Sequence, residues 1–307
     1  MIPLLSLDEF EIEGRVGGGT YANVFEAIRK DNGQRFALKK VKYFSNVPGI
    51  PFEFIREIKS MHSINNSNII HLNGIIANEK SREIYAVLDY YKYDLSELIH
   101  GGYLRNKCKD YIRIIFSQIA SGLNAIHQSG YMHRDIKPAN ILINDEGKIV
   151  ICDLGLCRRV IPSTRYSSNV EALPYRAPEV YKNSYNQKID VWSLGCVLFE
   201  LCTHQLLFEP KPNDISMAGE LAHVCNVPIE CITNAENSEN QNLDKCTIEK
   251  IKCKECSECY DLLAHMLVIN PEKRYSMEDI MKHPYVSENT KTTIEINGKE
   301  IRSDDED

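Results

Sequence analysis

The chain has 307 residues, 43% hydrophobic and 26% charged, with a formal net charge of -7. That length carries one large domain or two lobes with separate cores, at the composition of an ordinary folded protein. The acidic balance, with no strongly basic stretch, speaks against direct nucleic-acid binding, and no apolar run reaches the roughly 18 residues of a membrane span.

At the start, only Pro3 interrupts the apolar residues and acidic "DEFEIEG" follows, so no secretory signal is expected. The eleven cysteines are accordingly expected to be reduced. Residues 10–30 alternate apolar and polar on both sides of a glycine run, which predicts two strands and a glycine turn. A third strand is predicted over 33–44, opened by the turn signal Asn32-Gly33. In "PFEFIREIKSMHSI", 51–64, Phe54, Ile58 and Met61 recur at helical spacing, with a proline suited to the first turn. "IIHLNGIIAN" and "REIYAVLDYY" are strand-like, joined by a polar turn near 79–81. Helices are predicted over 113–127, on the spacing of Ile115, Ile119, Leu123 and Ile126, and over 190–202, 257–267 and 277–281. A short hairpin turns at Asn144, Asp145 and Gly147; residues 234–246 are polar and read as a loop; the final "NGKEIRSDDED" reads as a disordered acidic tail.

Several residues on these elements carry chemistry only in combination. Gly17 and Gly19 between two strands let a backbone approach phosphates, although a plain hairpin would use them equally well. Lys39 on a strand and Glu57 on a helix are each ordinary surface residues when taken singly. Asp135, Lys137 and Asn140 crowd into "HRDIKPANIL". Phosphoryl transfer needs such a set: a carboxylate to orient the attacking hydroxyl, a cation for the transferring group, and oxygen ligands for magnesium. Asp153, at the end of a short strand in "CDLGLCR", supplies a second carboxylate.

The ordered motifs "VGGGTYANV", "FALKK", "HRDIKPAN", "DLG", "YRAPE", "DVWSLG" and "PEKR" make the chain resemble a eukaryotic protein kinase over about residues 10–286. The resemblance implies an α+β bilobal fold. An antiparallel β-lobe with one main helix would span 1–88, a hinge 89–92, a mostly helical lobe 93–286, and an acidic tail 287–307. It implies ATP and Mg2+ as cofactors and protein serine or threonine as acceptor. ATP would be bound by Val16, Gly17, Gly18, Gly19, Thr20, Tyr21, Ala22, Asn23 and Val24 of the glycine loop. Lys39, Leu88, Asp89, Tyr91, Asp94 and Leu142 would complete that site, with Leu88 as gatekeeper. Asp135 would orient the hydroxyl, Lys137 steady the γ-phosphate, and Lys39, paired with Glu57, contact the α- and β-phosphates. Asn140 and Asp153 would bind magnesium, Asp190 brace the catalytic loop, and Glu179 pair with Arg274.

"PFEFIRE", "GTY", "ALKK" and "LPYRAPEV" are similar to the corresponding segments of cyclin-dependent kinases. This implies a cyclin-like regulatory subunit docked on 51–57, with Phe52 or Phe54 facing outward, and a place in the nucleus or cytoplasm. It implies inhibitory phosphosites at Thr20 and Tyr21. It also implies an activating phosphosite at Ser167, or at the adjacent Ser168, clamped by Arg56, Arg134 and Arg158. The sequence departs from the family at Ala22, for the third loop glycine, at Leu154, and at Pro174, for a tryptophan. In the substrate-docking surface it departs at Glu171 and Ala172, and a segment around 215–227 looks shortened. Glu171 is expected to face the substrate pocket and favour arginine or lysine after the acceptor, or else to swing into solvent and leave proline preferred. Cys246, Cys253, Cys256 and Cys259 have spacings that suit zinc or an iron–sulfur cluster, although Cys259 also falls on the core face of an amphipathic helix. A cyclin-independent kinase of the same group and a pseudokinase scaffold are the rival readings.

Overall fold

The computed structural model describes residues 2–18, 22–42, 50–78, 83–105, 107, 109–161, 164–167, 170–233 and 257–287. The glycine loop's Gly19, Thr20 and Tyr21 therefore lie outside the described residues, as do Ser168, the 234–246 loop, the acidic tail and three of the spaced cysteines, Cys246, Cys253 and Cys256.

The first lobe is a six-stranded sheet. Strands β2 (Phe10–Gly18), β3 (Ala22–Arg29), β4 (Arg35–Val41), β5 (Leu72–Asn78) and β6 (Glu83–Asp89) pair antiparallel, and with the two-residue β1 (Leu4–Leu5) the spatial order is β1-β5-β6-β4-β3-β2. The alternation in the sequence becomes a core of Phe10, Ala27, Phe36, Leu38 and Val87, in which the rings of Phe10 and Phe36 meet edge to face at 5.8 Å. The turn into β4 is the one foreseen: Gly33 has φ +71, and the Asn32 side chain accepts the Gln34 N–H at 2.9 Å. The sequence pattern did not predict the edge strand β1 (Leu4–Leu5), which pairs parallel to β5. Two residues carry no periodicity. Gly74 makes the pairing possible, since a Cβ there would meet Leu5 Cδ1 at 2.7 Å.

Helix α1 (Phe52–Ser63) lies on this lobe with Phe54, Ile58 and Met61 inward, as their spacing requires, and with Glu57 and Ser60 buried on the same face. Pro51 sits one position earlier than predicted, as the N-cap residue. Strand β6 ends at Asp89, and the next element, β7 (Tyr93–Asp94), opens the second lobe.

That lobe is built around α3 (Lys109–Gln128) and α4 (Lys188–Thr203). Ile115, Ile119, Leu123 and Ile126 of α3 are wholly buried, and α4 is apolar on all sides because the lobe surrounds it. The short strands β8 (Tyr131–Met132), β9 (Ile141–Ile143), β10 (Ile149–Ile151) and β11 (Arg158–Arg159) frame residues 133–140. They form the small sheets β10-β9-β7 and β11-β8. Helices α7 (Ser257–Met266) and α8 (Met277–Lys282) stand where periodicity put them. Four short helices were not foreseen: α2 (Leu95–His100), α5 (Asp214–Val224), α6 (Glu230–Thr233) and α9 (Pro284–Ser287). Ser287 thus belongs to the last helix rather than to the tail. Arg274 pairs with Glu179, as the family resemblance implied, at 2.6 and 3.0 Å, with its guanidinium over the Trp192 ring. Cys259 faces the core, 3.6 Å from Cys202 Sγ. Among the described residues no group of His, Cys, Asp or Glu is arranged to hold a metal ion, and no helix is long and apolar enough to cross a membrane.

Candidate active site

The site grows from the loop between β8 and β9. Asp190, at the start of α4 and 0% exposed, accepts the N–H groups of His133 and Arg134, each at 2.8 Å, and lies 2.8 Å from His127 Nε2. Burial raises its carboxyl, but the His127 and backbone hydrogen bonds outweigh that and hold it below the ordinary carboxylate range. This anchor bends the loop so that Arg134 takes φ +70. The next residue, Asp135, donates its N–H to His133 Nδ1 at 3.2 Å, and His133 Nε2 bonds the Cys152 carbonyl at 3.0 Å. One imidazole thereby ties the catalytic loop to the strand end that carries Asp153.

Asp135 Oδ2 accepts from Lys137 Nζ at 2.7 Å and from Asn140 Nδ2 at 2.9 Å. Asn140 commits its amide N–H2 to Asp135, with a second bond to the Asp135 carbonyl at 2.8 Å, and so keeps its oxygen as a ligand atom. Asp153 sits in the left-handed region, φ +58, beside Gly155. Its Oδ1 is 3.1 Å from Lys39 Nζ, which is also 2.6 Å from Glu57 Oε1. Burial pulls the Lys39 ammonium down, but Glu57 and Asp153 together hold it well above lysine's ordinary value. Burial raises Asp153, and Lys39 more than reverses this. Burial also lifts Glu57, against the pull of Lys39. An asparagine oxygen and a carboxylate, both hard ligands, fit a magnesium ion.

These groups line a cleft of about 690 Å³ between the lobes. Val16, Gly17, Gly18, Ala22, Val24, Leu88, Asp89, Tyr91, Asp94 and Leu142, to which the resemblance assigned ATP, line it too. Asn23 does not. Side chains alternate along β3, so Ala22 and Val24 face the cleft while Asn23 lies beside Gly18 on the other face. Ala37 and Cys152 line the cleft and were missed. Ala37 was legible as the residue two before Lys39 on one strand face, and Cys152 as the neighbour of Asp153.

Three arginines meet beyond the catalytic loop. Arg56 of α1 donates to the Gly155 carbonyl at 2.9 Å, and Arg134 Nε to the Leu156 carbonyl at 2.7 Å. Burial first, then the charges of Arg158 and Arg134, disfavour the protonated form of Arg56, so Arg56 feels both of the other guanidinium groups. Ser167 is exposed, and its carbonyl accepts from Tyr185 OH at 2.6 Å; that hydroxyl also takes Arg134 Nη1 at 3.4 Å.

Glu171 is a correction. It faces neither the pocket nor solvent, being 6% exposed. Its carboxyl accepts the Ala177 N–H at 3.0 Å and lies 2.9 Å from Ser193 Oγ. Its backbone is left-handed, φ +60, and directs its carbonyl to Arg176 Nη2 at 3.2 Å. A left-handed turn reverses the expected facing, which strand-like alternation cannot anticipate. Ala172 follows, half-buried, at the head of the 3₁₀ turn Leu173–Tyr175.

A family model, the protein kinase domain, matches residues 10–286. The chain is 33% identical to cyclin-dependent kinase 12 of Caenorhabditis elegans, over 94% of this chain and 42% of that protein. It is 30% identical to serine/threonine-protein kinase ppk23 of Schizosaccharomyces pombe, over 92% of this chain and 73% of the relative. It is 29% identical to cyclin-dependent kinase 7 of Dictyostelium discoideum, over 94% and 82%. The chain thus spans less than half the length of the first of these relatives. In fold it is similar to a chain of the CAK complex from Chaetomium thermophilum bound to ATP-gamma-S, with a TM-score of 0.78, 24% identity and 90% of each chain covered.

Proposed function

The chain belongs to the serine/threonine protein kinases, and we propose that it is one of the cyclin-dependent (CMGC) group and transfers the γ-phosphate of ATP to serine or threonine hydroxyls of proteins. One observation supports this above the others: Lys39 and Asp153, 114 residues apart and hydrogen-bonded to each other, line the same cleft as Asp135 and its hydrogen-bond partners Lys137 and Asn140. Asp135 orients the acceptor hydroxyl and receives its proton. Lys137, already 2.7 Å from Asp135 Oδ2, offsets charge on the transferring group. Lys39, held between Glu57 and Asp153, presents a permanent cation to the α- and β-phosphates. Magnesium, held by Asn140 and Asp153, would neutralise phosphate oxygens when bound. Val24, Ala37 and Leu142 supply apolar walls for the base. The test is phosphate transfer from radiolabelled ATP to a serine peptide, with Asp135→Asn alongside. Turnover should fall by orders of magnitude in the variant with little change in unfolding temperature. An unaltered kcat would remove Asp135 from this role.

Phe52, 78% exposed at the start of the helix that carries Glu57, supports docking of a cyclin-like subunit there, in the nucleus or cytoplasm. Full activity of the unphosphorylated chain alone would contradict that. For the residue after the acceptor, the geometry supports proline over a basic residue. Glu171's carboxyl points inward and its carbonyl is taken by Arg176, so the turn offers no acceptor to an incoming N–H. A positional peptide library reads this directly.

A further inference from the structure

Glu171 is a buried acid without a cation. No ion pair to it exists among the described residues. The guanidinium nearest in sequence, Arg176, directs Nε to the Val170 carbonyl, Nη2 to the Glu171 carbonyl and Nη1 to Asp214 Oδ1, at 3.0, 3.2 and 2.8 Å. The other guanidinium at this turn, Arg134, bonds Leu156 and Tyr185. The largest charges acting on the carboxyl are those of Asp190 and Glu179, both acidic, and the titratable side chains that feel it in turn, Cys196, Tyr181 and Tyr185, are held neutral by burial.

The hydrogen count at Ser193 then decides the protonation state. Ser193 Oγ lies 2.9 Å from Glu171 Oε1, 2.8 Å from the Tyr175 carbonyl and 3.3 Å from the Ile189 carbonyl. A hydroxyl has one hydrogen. With Glu171 ionised, all three neighbours are acceptors, and at least one close oxygen pair holds no hydrogen between its atoms. With a proton on Oε1, Glu171 donates to Ser193, Ser193 donates to Tyr175, and Oε2 keeps the Ala177 N–H at 3.0 Å. Only the neutral acid satisfies the close contacts together.

The same residue holds a backbone that glutamate does not choose. Its left-handed φ of +60 costs energy for a residue with a Cβ and persists only where the surroundings impose it. Its N–H donates at 2.9 Å to the carbonyl of Arg134, itself left-handed and next to Asp135. Arg176, which takes the Glu171 carbonyl, lines a second cleft of about 460 Å³ with Leu173, Pro212 and Ile215. One turn therefore joins the catalytic loop, the cleft beside it and the interior of α4.

We infer that Glu171, carrying a proton, is a positioning residue that latches the substrate-bearing turn to the catalytic loop, so that peptide binding and not ATP binding depends on that proton. This rests on the kinase reading above. Burial, then Asp190 and Glu179, push the carboxyl well above its ordinary value of 4.5, against the Ala177 and Ser193 hydrogen bonds. Because a carboxyl is raised, the latch is complete at low pH and lost as pH rises through the folded-state value. Glutamine copies the protonated acid, with one acceptor for Ala177 and donors for Ser193.

Three proteins, wild type, Glu171→Gln and Glu171→Val, test this. The difference infrared spectrum, wild type minus Glu171→Gln at neutral pH, should contain the carbonyl stretch of a neutral carboxylic acid. A carboxylate band in its place overturns the inference, whether or not the protein proves to be a kinase. In the peptide assay Glu171→Val should raise KM for peptide about tenfold while KM for ATP holds, and Glu171→Gln should restore it to within about threefold. The alkaline fall of kcat/KM for peptide should move upward in pH in Glu171→Gln. Glutamine failing as valine does, or an alkaline limb that coincides with wild type's, would also overturn it. A wild type that transfers no phosphate refutes the kinase reading instead, and leaves the infrared result to decide the proton.

Discussion

Glu57→Gln tests the inward helix most directly, because it keeps the side chain's shape and removes its charge. In the wild type Lys39 Nζ lies 2.6 Å from Glu57 Oε1 and 3.1 Å from Asp153 Oδ1, and Glu57 is 3% exposed. A hydrogen bond between charged, water-excluded groups contributes about 1.5–3 kcal/mol, and about 1.4 kcal/mol is a factor of ten. Replacing the carboxylate with an amide should therefore lower kcat/KM for ATP by about tenfold to about 150-fold. The loss falls on function because Lys39 then leans on Asp153, the carboxylate assigned to magnesium. Stability should change little: the ammonium keeps one carboxylate partner, and the desolvation cost of Glu57 disappears. Steady-state kinetics at saturating peptide, with thermal unfolding as the control for folding, measure both. In a Lys39→Ala background the Glu57 substitution should add almost nothing, because the pair acts as a unit. A kcat/KM within about threefold of wild type, or full additivity with Lys39→Ala, would refute the claim that Glu57 works by orienting Lys39.

Three other outcomes are expected. Ser167→Ala should lower activity about tenfold or more, since a phosphate there would bridge Arg56, Arg134 and Arg158, which otherwise repel; mass spectrometry that finds an active form with no phosphate between residues 157 and 175 would contradict this. Arg274→Ala should cost about 3–5 kcal/mol, because Arg274 is 1% exposed and its loss strands the Glu179 carboxylate in the core. For a domain of this size that is a fall of roughly 6–20 °C in Tm by calorimetry, and a fall under about 2 °C would count against it. Asp190 titrates below its ordinary 3.8 when folded, so its stabilisation is present above that value and lost as pH falls through the depressed one. The stability gap between wild type and Asp190→Asn in urea should hold at neutral pH and narrow in acid. A gap that stays constant into acid would show that the anchor is not ionic.

Much of the molecule was legible because its signals are local. Periodicity marked α1, α3, α4, α7 and α8 and the strands from β2 to β6, and the ordered motifs named Lys39, Glu57, Asp135, Asn140 and Asp153 before any of them had neighbours. Short elements escaped: a two-residue strand such as β1 has no period, and its place depends on Gly74, seventy residues away, leaving room for Leu5. The facing of single side chains escaped as well. Asn23 turned out of the cleft with the pleat of β3, and Glu171 turned inward with a left-handed backbone. Amino-acid order determined which residue types this protein brings to its site, since the motif residues sit at spacings the chain itself sets. Tertiary structure alone decided which way Glu171 points and whether it carries a proton. Both follow from burial beside Ser193, Ala177 and two distant acids, and solvent exclusion and through-space charge have no counterpart in sequence spacing.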